Sequence, residues 1–591
     1  MYPNAGSIER EDTDGSSEAH ADLALSSYLS EPLRLTNRPP MTASQKTWSF
    51  IFYTQLLVQL VASIWLLAES QSEIPIPRSL PGTSTMACPA GYHVFGHTCL
   101  SEALWAKRTS CRATKVQDQD SEFSSSPSTV PWTSTARRLA DGTVTEERTM
   151  GWVLAGKPTQ TILYSIVPLS LAFGALWIMI LAMNSHAVIW GTIAFNIVLM
   201  CYGCYLTENW MILAAAALVV VLALVEKSDI NLAAHAMKAA AGALQGAPGI
   251  FAVVAGIKLV WFCYGIAFFW VSMHGSYDKD IDLDCYVVDT PSQVSSFFYY
   301  ICGFLFLVTT FFLENCILSV CAMGVGCWYF PDATAEGEEN SALVGIKLAL
   351  TTSSGTVFGA SMIMGAVKYV RMQTTNSCWW MDPFSCFARM LWCMLESVVG
   401  SLTRFALIAH LFHGDGFCFV AGVTYDTLKR RLPGTVMTGV VSEKVLSQIS
   451  MTLSTGIGLL IWWILDKAEG LGVFSFVTDT MADSQYSKWS QWMAVGLALL
   501  MLWGVRNPLF TILLVVLFKD SFGENDVLNT FCIAILSAAI FAFIFQSFAK
   551  IIEYAADTVF YCMAIEAESG KREIRLKALH DEIMVREPDN V

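Results

Sequence analysis

Residues 249–272 read GIFAVVAGIKLVWFCYGIAFFWVS, with Lys258 the single charge in the stretch. The hydrocarbon core of a bilayer is about 30 Å thick, and a helix rising about 1.5 Å per residue needs about 20 apolar residues to cross it. A helix that is apolar on every side must be surrounded by protein or by lipid. Working outward, runs of the same character occur at 48–68, 162–182, 187–206, 209–226, 294–323, 345–370, 437–463, 489–518 and 526–550. The fold class expected is all-α, a polytopic membrane protein with about ten transmembrane helices.

Composition agrees. The chain has 591 residues, of which 54% are hydrophobic and 15% charged, and its mean hydropathy is +0.48. Soluble domains carry about 25% charged residues. A net charge of −14 is the wrong sign for a nucleic-acid partner; the partner implied by the apolar runs is the lipid bilayer.

The spans divide the chain. Residues 1–45 form a polar, acidic tail, expected to be disordered and cytoplasmic. Residues 46–68 make a first transmembrane helix that acts as a retained signal anchor. Arg34, Arg38 and Lys46 precede it closely and only Arg78 follows at comparable distance, so the positive-inside rule puts the N-terminus in the cytoplasm. Residues 69–160 form a long exoplasmic loop with Cys88, Cys99 and Cys111; Cys285, in a later loop on the same side, makes four cysteines available for disulfides. Four cysteines allow three connectivities, and spacing does not choose among them. No Asn-x-Ser/Thr sequon occurs. Residues 161–563 form the multi-span domain and 564–591 a charged cytoplasmic tail. Segment 228–245 mixes Asp229, Asn231, His235 and Lys238 with alanine and leucine and is expected to lie along the cytoplasmic surface. The stretch 385–411, bearing Arg389 and Arg404, reads as a further crossing; 489–518 reads either as one long span or as two half-spans turned at Arg506-Asn507-Pro508.

The motifs of several enzyme classes are missing. There is no G-x-x-x-x-G-K-[ST] phosphate loop, no H-E-x-x-H and no G-x-S-x-G. His410, His413 and Asp415 are too few for a convergent metal site and read more simply as an interfacial polar turn. The expectation is a protein that is not an enzyme and uses no cofactor and no metal.

Several stretches, taken in order, resemble one family. They are Cys327-Trp328-Tyr329-Phe330; Thr356-Val357-Phe358-Gly359-Ala360-Ser361 followed by Ala366-Val367-Lys368-Tyr369-Val370-Arg371; Phe417-Cys418 with Ala421 and Tyr425; and 541–564, FAFIFQSFAKIIEYAADTVFYCMA. Their order is similar to that in choline transporter-like proteins, as is the layout of one span, a long cysteine-bearing exoplasmic loop and then a cluster of spans. Gly422-Val423 departs from the family's usual Lys-Asp, Arg431 stands where it often has Asn, and residues near 466–520 look inserted. The resemblance implies a multi-pass carrier for choline or a related small organic amine, in the plasma membrane or an organelle membrane. A non-transporting scaffold or lipid-handling protein sharing the fold is the other reading.

Choline is a permanent cation that cannot shed its charge as a proton. Its site must replace water with aromatic faces, each worth about 0.5–2 kcal/mol, helped by a carboxylate. Trp261, Tyr264 and Phe268 share one face of a helix, and Tyr299 and Tyr300 lie on the next span; an interfacial aromatic belt is the plainer alternative. Glu314 stands in the apolar run Phe311-Phe312-Leu313-Glu314-Asn315-Cys316, where an acid is costly; it would counter the substrate's charge or pair with Lys258. Glu553 and Asp557 match an acidic pair of the family pattern and are expected to contact Arg371 or Lys429 in a gating role at the cytoplasmic face. Uptake would follow the substrate gradient and the membrane potential.

Overall fold

A computed structural model describes residues 43–69, 73–75, 92–95, 98–101, 157–207, 210–225, 227–275, 277–281, 287–291, 293–330, 341–376, 383–431, 433–469 and 526–569, with residues 106, 508 and 511. The helices are α1 (Ala43–Glu69), α2 (Lys157–Thr207), α3 (Trp210–Val225), α4 (Lys227–Gly246), α5 (Gly249–Gly275), α6 (Gln293–Tyr329), α7 (Ser341–Leu350), α8 (Ser354–Asn376), α9 (Pro383–His413), α10 (Phe417–Arg431), α11 (Pro433–Glu469) and α12 (Asp526–Ser569). Five short strands lie in the loops expected outside the membrane. The strands β1 (Glu73–Pro75), β2 (Tyr92–Phe95) and β3 (Thr98–Ser101) form an antiparallel sheet of order β1-β3-β2, and β4 (Tyr277–Ile281) pairs antiparallel with β5 (Val287–Pro291).

Among the described residues six helices are long and apolar enough to cross a membrane, or seven if the bent pair α7–α8 is one span. The expected count of about ten is not confirmed among them. Segment 489–518 lies outside the described residues except Pro508 and Thr511, and α3 has 16 residues, just short of the usual 17–25. The runs 162–182 and 187–206 emerge as one element, α2, broken at Asn184 (φ −148°, ψ 61°). Asn184 Oδ1 accepts the Ala187 N–H at 3.4 Å, the bond by which an Asn N-cap starts a new helix. The stretch 385–411 is α9, whose Leu395–His413 is one of the six spans.

The centre of the bundle is α12, packed against α2, α4, α6, α9 and α11. Segment 228–245 does not lie on the surface: α4 is buried among α2, α6, α11 and α12, with Ala233, Ala234, Ala236, Ala240, Ala241 and Ala243 at the contacts. The reason is size. Alanines let neighbouring helices approach from several sides, and two of the polar residues that suggested a surface, Asn231 and His235, find partners inside, while Lys238 stays exposed. His235 shares a 2.9 Å Nε2–Nε2 hydrogen bond with His186, and Asn231 accepts the Trp190 indole N–H at 3.2 Å.

Helix α1 seals one flank of the α7–α8 bend. Gln45 Nε2 donates to Thr356 Oγ1 at 3.3 Å and Ser49 bonds Ser354 at 2.8 Å, while Phe52 stacks on Phe312 with centroids 4.0 Å apart. Gly355 permits this contact. A Cβ there would lie 2.8 Å from the Gln45 carbonyl carbon and 2.9 Å from its Cα, with the carbonyl oxygen closer still. Backbone cannot rotate away, so Gly355→Ala is expected to destabilise by about 1–3 kcal/mol, as overpacked sites do. Thermal midpoints followed by size-exclusion chromatography test this. Gly359→Ala is the control, because nothing lies within 4 Å of its added Cβ; equal midpoints for the two variants would refute the argument.

Candidate functional site

The residues Lys550, Glu553 and Asp557 stand at i, i+3 and i+7 of α12 and so share one helix face. That face meets Arg404, which interrupts the apolar run of α9. The Arg404 guanidinium forms a direct ion pair with Glu553, lies 3.5 Å from Asp557 Oδ2 and is 3.7 Å from Glu443 Oε2 on α11. Lys550 Nζ pairs with the other Glu553 oxygen at 2.9 Å and sits over the Tyr554 ring at 5.8 Å. The Asp557 and Glu553 side chains are 2% and 3% exposed and Arg404 is 14% exposed, whereas Lys550 and Glu443, at 35% and 36%, close the rim. Charges so deep persist only when paired and hydrogen-bonded.

The charged row continues across the bundle. Glu314 on α6 acts electrostatically on Tyr554 and on Lys258 of α5, and Lys258 Nζ lies over the Trp261 ring at 5.0 Å. Among the described residues the row holds three cations, Lys258, Arg404 and Lys550, against four carboxylates, Glu314, Glu443, Glu553 and Asp557. Its formal charge is therefore −1, and Asp557 Oδ2, buried, makes no hydrogen bond.

The proposed aromatic residues do not form an open cage. Trp261 stacks on Phe543 (5.4 Å, 3°) and donates its indole N–H to Thr310 at 3.2 Å. Tyr264 stacks on Phe306 at 5.5 Å and donates to Gln59 at 3.1 Å; Phe268 also stacks on Phe306, at 4.3 Å. The three do line one face of α5, but neighbouring rings cover them. The side chains of Tyr299 and Tyr300 lie outside the described residues. Glu314 forms no ion pair with Lys258 among the described residues; the two interact at longer range.

Arg371 does not meet Glu553 or Asp557. It pairs directly with Glu396, as does Lys368 at 2.9 Å. Glu396 precedes Arg404 by eight residues on α9, about 12 Å along the axis, so the two clusters occupy different depths. Tyr329 at the end of α6 bonds Glu566 near the end of α12, which places the Glu553–Asp557 turn toward that end. The Lys429 side chain lies outside the described residues. So do Cys88, Cys111 and Cys285, and of Cys99 only the strand backbone is described; the nine described cysteines with placed side chains are free thiols. His410 Nδ1 lies 2.5 Å from the Asp415 carbonyl oxygen, and no group of three metal-ligating side chains occurs among the described residues.

Sequence reasoning passed over Arg404, Lys550 and Glu443 as sites. Arg404 enters the sequence reading only as part of the further crossing at 385–411. The signal was present: an arginine inside a span needs an internal partner, and the acids at 553 and 557 were already singled out.

Beside this row a cavity of about 500 Å³ opens between α2, α5 and α12, lined by Phe251, Phe262, Phe543, Phe548, Ser547 and Lys258 among aliphatic side chains. Its one charge among the described residues is a cation, so it does not suit an ammonium ligand.

A profile of the family described as plasma-membrane choline transporter matches residues 210–568, the segment that carries α3 to α12 and every residue of the charged row. A CTL-like protein of Dictyostelium discoideum is 24% identical over 453 residues, which cover 69% of this chain and 71% of that protein. With the match spanning more than half of its length, the chain belongs to the choline transporter family.

Proposed function

We propose that the protein carries choline or a related small organic amine across a membrane, the plasma membrane first, by alternating access. Family membership supports a membrane transporter-type role. The observation that carries the finer reading is the charged row inside the bundle, one positive charge short of neutrality. A permanent ammonium ion supplies that charge, and a carboxylate buried at 2% exposure is screened far less than one in water. Intramembrane acids of this kind commonly mark a substrate or ion path. In this reading the rings of Trp261, Tyr264 and Phe268 part from Phe543 and Phe306 when the carrier opens, and the freed faces receive the ammonium group.

Purified protein in liposomes tests this. Uptake of labelled choline is expected to saturate and to be faster with an inside-negative potential, since a monovalent cation gains about 2.3 kcal/mol per 100 mV. Uptake no better than that of empty liposomes would remove the reading.

A further inference from the structure

The cavity between α2, α5 and α12 opens on the outer flank of the bundle, where Val167, Leu171 and Leu259 line its mouth and are exposed. These residues belong to helices that cross the membrane, so the mouth faces the acyl chains of the bilayer. Its walls are phenylalanine and aliphatic, and its volume falls in the range of about 300–1,000 Å³ typical of small-molecule sites. The charge on its lining is Lys258, whose Nζ lies over the Trp261 ring at 5.0 Å and forms no ion pair among the described residues; Glu314 acts on it only at longer range.

We infer that this cavity binds a free fatty acid, its chain among Phe251, Phe262, Phe543 and Phe548 and its carboxylate on Lys258 Nζ. Depth separates this ligand from an ordinary phospholipid. Lys258 is nine residues beyond the start of α5, about 14 Å along the helix and so near the middle of a hydrocarbon layer of about 30 Å. A diacyl lipid keeps its phosphate at the interface. A single-chain acid can bring its head group down to the lysine, where a carboxylate and an ammonium neutralise each other in a medium that penalises either alone. Ser547, also on the lining, already donates its hydroxyl to the Phe543 carbonyl at 2.8 Å, which leaves Lys258 as the head group's partner.

The test uses the full chain in nanodiscs of palmitoyl-oleoyl phosphatidylcholine. The probes are palmitic acid carrying a mid-chain diazirine, its methyl ester, and a phosphatidylcholine esterified with the same labelled chain, with adducts mapped by peptide mass spectrometry. The free acid is expected to label peptides spanning 251–262 and 540–551 at least fivefold more than the ester or the phospholipid. Lys258→Gln should remove that preference, Lys258→Arg should keep it, and Ser547→Trp, which fills the lining, should suppress labelling by all three probes. Equal labelling by acid and ester, or an unchanged preference in Lys258→Gln, would overturn the proposal, and so would preferential labelling by the phospholipid. Folding of each variant is checked by elution volume, and the readout does not depend on whether choline is carried.

Discussion

The Arg404→Met variant is expected to lose most of its folded, monodisperse fraction. Among the described residues Arg404 is the one cation that reaches Glu553, Asp557 and Glu443 together. Removing it leaves two carboxylates almost wholly inside the bundle with only Lys550 to answer them, and Lys550 contacts Glu553 alone among the three. Breaking a buried ion pair by deleting one partner costs about 3–5 kcal/mol, a large part of a stability that is typically about 5–15 kcal/mol. Methionine keeps the length of the side chain, so the effect reports charge rather than volume. The double variant Arg404→Met/Asp557→Asn removes one charge of each sign and is expected to recover part of the loss. Fluorescence-detected size-exclusion profiles and thermal midpoints of the wild type and both variants check this. A double variant no more stable than Arg404→Met would show that the network is not what holds these helices together.

The second large effect concerns transport. Asp557→Asn keeps the shape of the side chain and makes the row formally neutral, while Arg404 retains Glu553 and Glu443. At about 4 Å and an effective dielectric constant of about 20, two unit charges interact by about 4 kcal/mol, and a third of that is already about tenfold in affinity. Choline uptake by reconstituted Asp557→Asn is therefore expected to fall at least tenfold, with the thermal midpoint close to that of the wild type. Glu443→Gln is expected to have a smaller effect, because that carboxylate is 36% exposed and water already screens it. Wild-type uptake in Asp557→Asn would separate the charged row from substrate handling.

What the sequence made legible follows from what each signal measures. Hydropathy reports how apolar a stretch is over 20 residues or so; it located α5 and α6 closely and the start of α12, whose helix runs on from the expected end at 550 to Ser569. It does not report what surrounds a helix. Helix α4 looked like a surface element because Asp229, Asn231, His235 and Lys238 lower its mean hydropathy, yet the alanines between them allow it to sit among α2, α6, α11 and α12. The acidic turn of α12 is visible from Glu553 and Asp557, but the partner expected for it is Arg371 or Lys429, because all were read as facing the cytoplasm. Only three-dimensional placement shows that Glu396 takes Arg371 and Arg404 takes the acids. The aromatic face of α5 was also read as one face, but periodicity along one helix cannot say that Phe543 and Phe306 from α12 and α6 lie flat against it.

The contact of α1 with the α7–α8 bend also bears on biosynthesis. Thr356 follows Gln45 by 311 residues. At about 5–20 residues per second, roughly 15–60 s of translation separate the emergence of the first helix from that of its partner. During that interval Gln45 and Ser49 have no Thr356 or Ser354 to bond, so the Gln45 amide must turn to lipid head groups, water or the insertion machinery, while the Ser49 hydroxyl has only the Gln45 carbonyl within α1. Nascent chains arrested before residue 350 should therefore hold α1 in a looser, more readily extracted state than chains arrested after residue 376.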